Sequence, residues 1–325
     1  DWKVLCWNVR GLNSEAWQLA VKQKIDESGC SMVCLQETKC MHIDHRFIRK
    51  FCPRYFDNFS YVPSVGASAG MVIIWNSSFF EGKLIEARQY GIILDFRSKH
   101  TSEVWTLVSV YGPCQGPARD DFVQWLYNLD INCDDNWLLL GDFNYIRAPD
   151  NRNKPGGSTQ DMFMFNDIIR HQNLIELPVK GRTYTWSNMQ HDPLLEQLDW
   201  FFSSSHWTHT FPNTIVMALG KPTSDHSPWV FQIETTIPKS RIFRFENFWT
   251  NHSNFLEVVA SSWEKPSHAK NAAAVICKKL KTLCYDLKSW SKGISKMSIL
   301  IQNCNQALQK LDGLEDMRPL TRPES

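Results

Sequence analysis

At 325 residues, with 43% hydrophobic residues including 14 Trp and 19 Phe, the chain can build one large core plus an appendage, which excludes a disordered protein. No apolar run approaches eighteen residues, which excludes a helix of membrane-spanning length. The net charge of +1 divides unevenly: residues 1–238 hold 21 Lys+Arg against 26 Asp+Glu (−5), and residues 239–325 hold 14 against 8 (+6), so the larger part is not a generic polyanion-binding surface.

In chain order, the first apolar run is a short strand through Leu5-Cys6-Trp7 that ends at Asn8. Trp17, Val21 and Ile25 recur at i, i+4 and i+8 and predict a one-faced helix. Met32–Leu35 predicts a second strand with Glu37 at its exit, and Ala69–Trp75 a buried one. Glu103–Val110 alternates with period two, and Phe122, Trp125, Leu126 and Leu129 mark another helix. Trp137–Leu140 reads as an apolar strand closed by a tight glycine turn at Gly141, which delivers Asp142 and Asn144 to the rim of a sheet. After a loop over Ala148–Ser158, Ser158 or Thr159 caps a helix from about Gln160 to Gln172. Short strands are expected near Tyr184, Leu198–Phe202, Thr214–Ala218 and Trp229–Glu234. Strands with few intervening helices favour two mixed sheets packed face to face and flanked by helices over a doubly wound parallel sheet.

Beyond Thr236 the pattern changes. Ile276, Leu280, Leu283, Leu287 and Trp290 step at three and four residues, and Ile294, Met297, Ile301 and Leu308 continue the stripe loosely. A long amphipathic helix or helical pair is expected, so the chain divides into a domain over 1–238 and a helical segment over 239–325. The ten cysteines are scattered without a C-x-x-C pair and read as free thiols in a reducing cell interior. The chain starts at Asp1 almost directly in a strand, with no charged and apolar leader, and reads as a fragment of something longer.

The polar groups at the strand ends carry the chemistry. Asp142 can accept a proton from a water that the Asn144 amide holds in line. Glu37 paired with Asn8 from a neighbouring strand is a hard oxygen site suited to Mg²⁺, and also to Mn²⁺. His226 stands beside Asp225, and Asp199 lies on a strand that can reach it. A carboxylate on one ring nitrogen leaves the other free for a phosphate or a water. The residues alone do not separate the base from its electrostatic partner.

The ordered set Asn8, Glu37, Asp142-x-Asn144 and Asp225-His226 resembles the endonuclease/exonuclease/phosphatase superfamily. The intervening runs Trp7–Asn13, Gln36-Glu37-Thr38-Lys39, Val110-Tyr111-Gly112-Pro113, Tyr184-Thr185-Trp186-Ser187, Leu198-Asp199 and Arg244–Trp249 resemble the endonuclease of plant LINE-type (non-LTR) retrotransposons, over about residues 2–263. The resemblance implies a deoxyribonuclease-like four-layer α/β sandwich of two mixed sheets with a C-terminal helical extension. It implies Glu37 as the principal metal ligand with Asn8 as its partner and Asp225 nearby, Asp142 as general base with Asn144 fixing the nucleophile, and His226 with its acid partner at the attacked phosphate. By the same resemblance Tyr111 lies near the scissile phosphate, and Thr185, Ser224 and Arg10 contact substrate. Gln197-Leu198-Asp199-Trp200 stands where many plant relatives have Arg-Leu-Asp-Arg, a loss of two positive charges beside the cleft that is expected to weaken phosphate contacts.

The function implied is an intracellular, Mg²⁺-dependent endonuclease that nicks DNA, in the nucleus, to leave a 3′-hydroxyl for target-primed reverse transcription. Residues 239–325 would then lead to a reverse transcriptase. Two other readings stay open at this point: an abasic-site nuclease or other phosphoesterase of the superfamily, and a decayed or domesticated nucleic-acid-binding relic.

Overall fold

The structure, a computed structural model, describes residues 2–65, 69–101, 103–132, 134–221, 224–234, 245, 247–267, 271–294 and 296–317. Thr223, Phe243, Arg244, Glu246 and the expected boundary at 238/239 lie outside those residues. The chain forms two compact units, Asp1–Ile237 with Ala307–Ser325, and Pro238–Gln306.

The first unit opens with β1 (Trp2–Asn8), α1 (Glu15–Ser28), β2 (Met32–Gln36) and the short α2 (His45–Ile48). Ser14 caps α1 by accepting the Trp17 N–H, and Gly29 ends it in the left-handed region. Next come β3 (Asn58–Val62), β4 (Met71–Trp75), β5 (Phe80–Arg88), β6 (Gly91–Ser98) and β7 (Val104–Tyr111). The helix α3 (Ala118–Tyr127) leads into β8 (Trp137–Asp142), and α4 (Thr159–His171) starts where Ser158 accepts the Asp161 N–H. Four short strands follow: β9 (Ile175–Glu176), β10 (Val179–Lys180), β11 (Trp186–Ser187) and β12 (Leu195–Glu196). Then come β13 (Asp199–Ser203), α5 (Ser205–Thr210), β14 (Ile215–Ala218) and β15 (Trp229–Ile233).

The strands form two mixed sheets, ordered β10-β14-β15-β1-β2-β4-β3 and β5-β6-β7-β8-β13-β9, with β11 and β12 as a separate pair. The parallel pairs β1/β2 and β7/β8 lie at the centres of these sheets. Period-two alternation divides each central strand between two cores. Val4, Cys6, Met32 and Cys34 join Leu138, Leu140, Phe201 and Phe231 in the layer between the sheets. Leu5, Trp7, Val33 and Leu35 pack outward with Val21 and Ile25 of α1. Leu139, Trp200 and Phe202 pack outward with Phe122 and Leu126 of α3 and Phe165 and Ile169 of α4. This is the expected four-layer α/β sandwich.

Some elements differ from expectation. No sequence pattern marks β3, β5, β6, β9, β10, β12, α2 or α5. Gly141 does not turn the chain: β8 runs through it to Asp142, with Gly141 opposite Trp200 and Asp142 opposite Asp199. Its φ of +139° is glycine-only territory, and a Cβ there would meet the Val110 carbonyl oxygen at 2.1 Å.

The second unit holds α6 (Phe255–Glu264), α7 (Ala272–Ile294) and the first turns of α8 (Lys296–Met317). The rings of Phe245, Trp249, Phe255 and Trp290 cluster within it. The last turns of α8, from Ala307, belong to the first unit.

Candidate active site

Strand register brings the polar groups together. Asn8 ends β1 and aligns with Gln36, so Glu37 emerges beside it. Tyr111 ends β7 opposite Asp142 at the end of the parallel β8, and Asp199 opens the antiparallel β13 opposite Asp142 from the other side. His226 reaches the same spot from the loop before β15, pinned by a bridge to Trp186. Its carbonyl accepts the Trp7 indole N–H at 3.0 Å.

Asp142 is the hub. Its Oδ2 accepts Asn8 Nδ2 at 2.8 Å and Asn144 Nδ2 at 3.1 Å, and its Oδ1 accepts the Asn144 backbone N–H at 3.0 Å. Asn144 is fixed in turn by donating to the Gly112 carbonyl at 2.7 Å. His226 Nδ1 pairs with Asp199 Oδ2 at 2.8 Å, while Nε2 faces Asp142 Oδ2 at 3.6 Å and the Asn8 amide at 3.5 Å. Asp142, Asp199 and His226 are all buried, whereas Asn144 and Tyr111 are half-buried at the rim.

Burial dominates the electrostatics of this line. It raises Asp142 to about 7, with the nearby Asp199 carboxylate adding to the rise and the His226 imidazole opposing it. Burial alone would lower His226, but the Asp199 and Asp142 carboxylates override it and bring the imidazole to about 9. The proton is held on the His226 imidazole, which lies between the two carboxylates. The Tyr111 phenol is pushed well above its ordinary value, first by burial and then by the Glu37 and Asp142 carboxylates, so it stays a donor.

Glu37 faces cations on two sides: Lys39 Nζ at 3.2 Å from Oε1 and Arg10 Nε at 3.7 Å from Oε2. Arg10 also pairs with Asp225 at 2.7 Å, and the Trp186 indole donates to the same Asp225 oxygen at 3.0 Å. Asp225 therefore turns to Arg10 and Trp186, and Asp199 is the acid on the imidazole. Arg10, Glu37, Lys39 and Asn144 are four of the seven non-glycine residues with positive φ among the described residues. Strain of this kind costs about 1–3 kcal/mol per residue and persists where the surroundings enforce it, commonly at functional sites.

Two groupings could hold a cation. Asp142, Asp199 and His226 offer ligand atoms within 4.8 Å of one another, but the imidazole already lies between the two carboxylates there. The Glu37 carboxylate with Asn8 Oδ1, which accepts the Arg10 N–H at 3.1 Å, offers a hard oxygen pair and fits a divalent ion that retains waters.

Thr185 and Ser224 are buried and serve the framework. The Thr185 hydroxyl accepts the Leu198 and Asp199 N–H groups, both at 2.9 Å. The Ser224 hydroxyl donates to the Asn8 carbonyl at 2.9 Å and accepts the His226 N–H at 3.1 Å. Lys39 and Trp186 join the site although neither was singled out from the sequence; both stand inside runs that carried the resemblance. Position 200 is not beside the cleft as expected: Trp200 lies under α4, donates to the Tyr145 carbonyl at 2.7 Å and has the Arg147 guanidinium over its ring.

A four-layer sandwich with an Asp–His–Asp line and an Asp-x-Asn pair at the open end of its sheets defines the phosphoester-hydrolase class. The chain belongs to the endonuclease/exonuclease/phosphatase family, whose sequence profile matches residues 5–226. It is 24% identical over 269 residues to the transposon TX1 uncharacterized 149 kDa protein of Xenopus laevis, an alignment covering 79% of this chain and 20% of that protein. The chain thus spans about a fifth of that relative. Two solved structures share the fold. An AP endonuclease from Archaeoglobus fulgidus superposes with a TM-score of 0.57 at 14% identity, over 72% of this chain and 100% of that one. The endonuclease domain of TRAS1, a telomere-specific non-LTR retrotransposon, superposes with a TM-score of 0.55 at 13% identity, over 73% of this chain and 100% of that one. The resemblance to retrotransposon endonucleases read from the sequence agrees with these relatives.

Proposed function

We propose that the protein is a divalent-metal-dependent DNA endonuclease that nicks one strand to leave a 3′-hydroxyl. The observation that carries this reading is the Asp142 carboxylate, aligned by Asn8 and Asn144 and faced by an imidazole held by Asp199. Asp142 takes a proton from the attacking water as the water oxygen bonds to phosphorus, the bond from phosphorus to the 3′-oxygen breaks, and the departing oxygen takes a proton from solvent water to become the 3′-hydroxyl. His226, kept cationic by Asp199, faces the negative charge that builds on the phosphate. Tyr111 donates a hydrogen bond from the rim. Mg²⁺ or Mn²⁺ held by Glu37 and Asn8 would neutralise phosphate charge and stabilise the leaving oxygen. In a retrotransposon the product end would prime reverse transcription in the nucleus, with residues 239–325 linking the nuclease to a polymerase.

Relaxation of supercoiled plasmid tests this. Nicking is expected with Mg²⁺, lost with EDTA and restored by excess Mg²⁺. Glu37→Ala is expected to raise the Mg²⁺ concentration for half-maximal activity at least ~10-fold, since even outer-shell changes at metal sites cost that much. Undiminished nicking in EDTA removes the metal from the reaction, and faster cleavage of duplex containing an abasic site would reassign the substrate.

The pH profile follows from the same line of groups. Activity needs Asp142 free of its proton and His226 carrying one, so the rate is expected to rise through about pH 7 and fall above about pH 9. A profile flat from pH 6 to 10 would contradict these roles.

A further inference from the structure

The last turns of α8 cover a second cationic site beside the His226 loop. Arg182, almost fully buried, faces three carboxylates: Nη1 meets Asp312 at 3.3 Å, and Nη2 meets Asp316 at 3.1 Å and Glu315 at 3.4 Å. Two backbone donors converge on the same acids. The Thr183 N–H reaches Asp316 Oδ2 at 2.8 Å, and the Lys221 N–H reaches Asp312 Oδ2 at 3.1 Å. The Lys221 side chain is half-buried, with Arg182, Glu315, Asp312 and Asp225 nearby. Arg182 also donates to the Ser227 hydroxyl at 3.3 Å, next to His226.

A guanidinium and two backbone N–H groups converging on carboxylate oxygens, with the Lys221 side chain nearby, make a site for a phosphate, which asks for charge and for directional donors together. Three carboxylates against two cations exceed what a brace needs, and among the described residues the buried Arg182 Nε has no acceptor. The domain has few cations to spare: from residue 171 to 238 the Lys and Arg residues are Lys180, Arg182 and Lys221. Two of these three lie under α8, against the loops that position the active site.

We propose that Arg182, Lys221 and the Thr183 and Lys221 N–H groups form a phosphate subsite for the DNA strand, and that Asp312, Glu315 and Asp316 of α8 occupy it in the free protein as a stand-in for the backbone. DNA competes with α8 for the subsite, so the helix restrains binding until a strand displaces it. This rests on the reading of the substrate as DNA.

The test uses the full chain and a random-sequence duplex in EDTA, with binding followed by fluorescence anisotropy against salt. Asp312→Asn/Glu315→Gln/Asp316→Asn is expected to bind more tightly at low salt. The two freed cations add ~2 to the magnitude of the salt slope, so affinity falls by a further ~10-fold between about 50 and 200 mM salt. Adding Arg182→Gln to that variant removes the gain. Hydrogen exchange on the unaltered protein gives a readout that needs no variant: amides of residues 307–317 are expected to exchange faster when duplex is added. Equal affinity and slope in the triple variant, or unchanged exchange in α8, would overturn the proposal. So would a variant that melts earlier and binds no better, since α8 would then be only a brace. If the native chain nicks plasmid while these readouts stay flat, the subsite fails alone; if neither protein binds duplex, the DNA reading fails with it.

Discussion

His226→Ala and Asp142→Ala are each expected to lower plasmid nicking by ~10²–10⁴-fold, the usual cost of removing a positioned proton-transfer group. The two changes differ in what they leave behind. Without His226, Asp142 and Asp199 face each other as buried carboxylates with no cation between them, and one of them takes up a proton. Without Asp142, Asn8 and Asn144 lose the acceptor their amides share. Asp199→Asn is the finer probe. Its amide keeps the shape but cannot hold an imidazolium, so the rate should fall while circular dichroism stays native. Wild-type rates in any of these purified variants would remove that residue from the mechanism.

Gly141→Ala should unfold the protein at much lower urea, with a loss of about 3 kcal/mol or more, in the range reserved for core and backbone clashes. The new methyl group would meet the Val110 carbonyl oxygen at 2.1 Å in a parallel pair where neither central strand can retreat. The backbone at φ +139° adds strain that alanine cannot relieve. The strand also carries Asp142, so surviving folded protein should be nearly inactive. An unshifted urea midpoint would mean that β7 and β8 yield more easily than a packed sandwich allows.

The sequence was most legible where burial is two-sided and uninterrupted. β1, β2, β4, β8, β13 and β15 are mainly apolar runs, and in β1, β2, β8 and β13 a polar residue at one end announces the exit as well. The helices α1 and α4 carry both an apolar stripe and a serine cap, so period and punctuation agree. β5 was illegible for the opposite reason. Phe80–Arg88 is an edge strand with Glu, Lys and Ala in it, exposed along most of its length and broken by a bulge between Leu84 and Glu86. Its partner β6 lacks a clean alternation because nearly every residue is covered. The short strands β9 and β10 owe their extended form to neighbours distant in sequence, which no local pattern records.

By itself, the sequence determined the polar groups at the strand ends and the sandwich that gathers them. A carboxylate, carboxamide or imidazole at the exit of an apolar strand is a local fact, and central strands of a two-sheet sandwich end at a common rim. Only the tertiary structure decided which groups touch. Asp225 and Asp199 were equal candidates for the imidazole in sequence, and strand register places Asp199 opposite Asp142 while Arg10 and Trp186 draw Asp225 aside. The hydroxyls of Thr185 and Ser224 looked like substrate contacts until burial and unpaired backbone N–H groups claimed them. Arg182 and the acids of α8 are 130 to 134 residues apart, and each reads alone as a solvated charge. Their pairing is a property of packing, because a local pattern carries period and polarity but not the distances between elements that close only when the core forms.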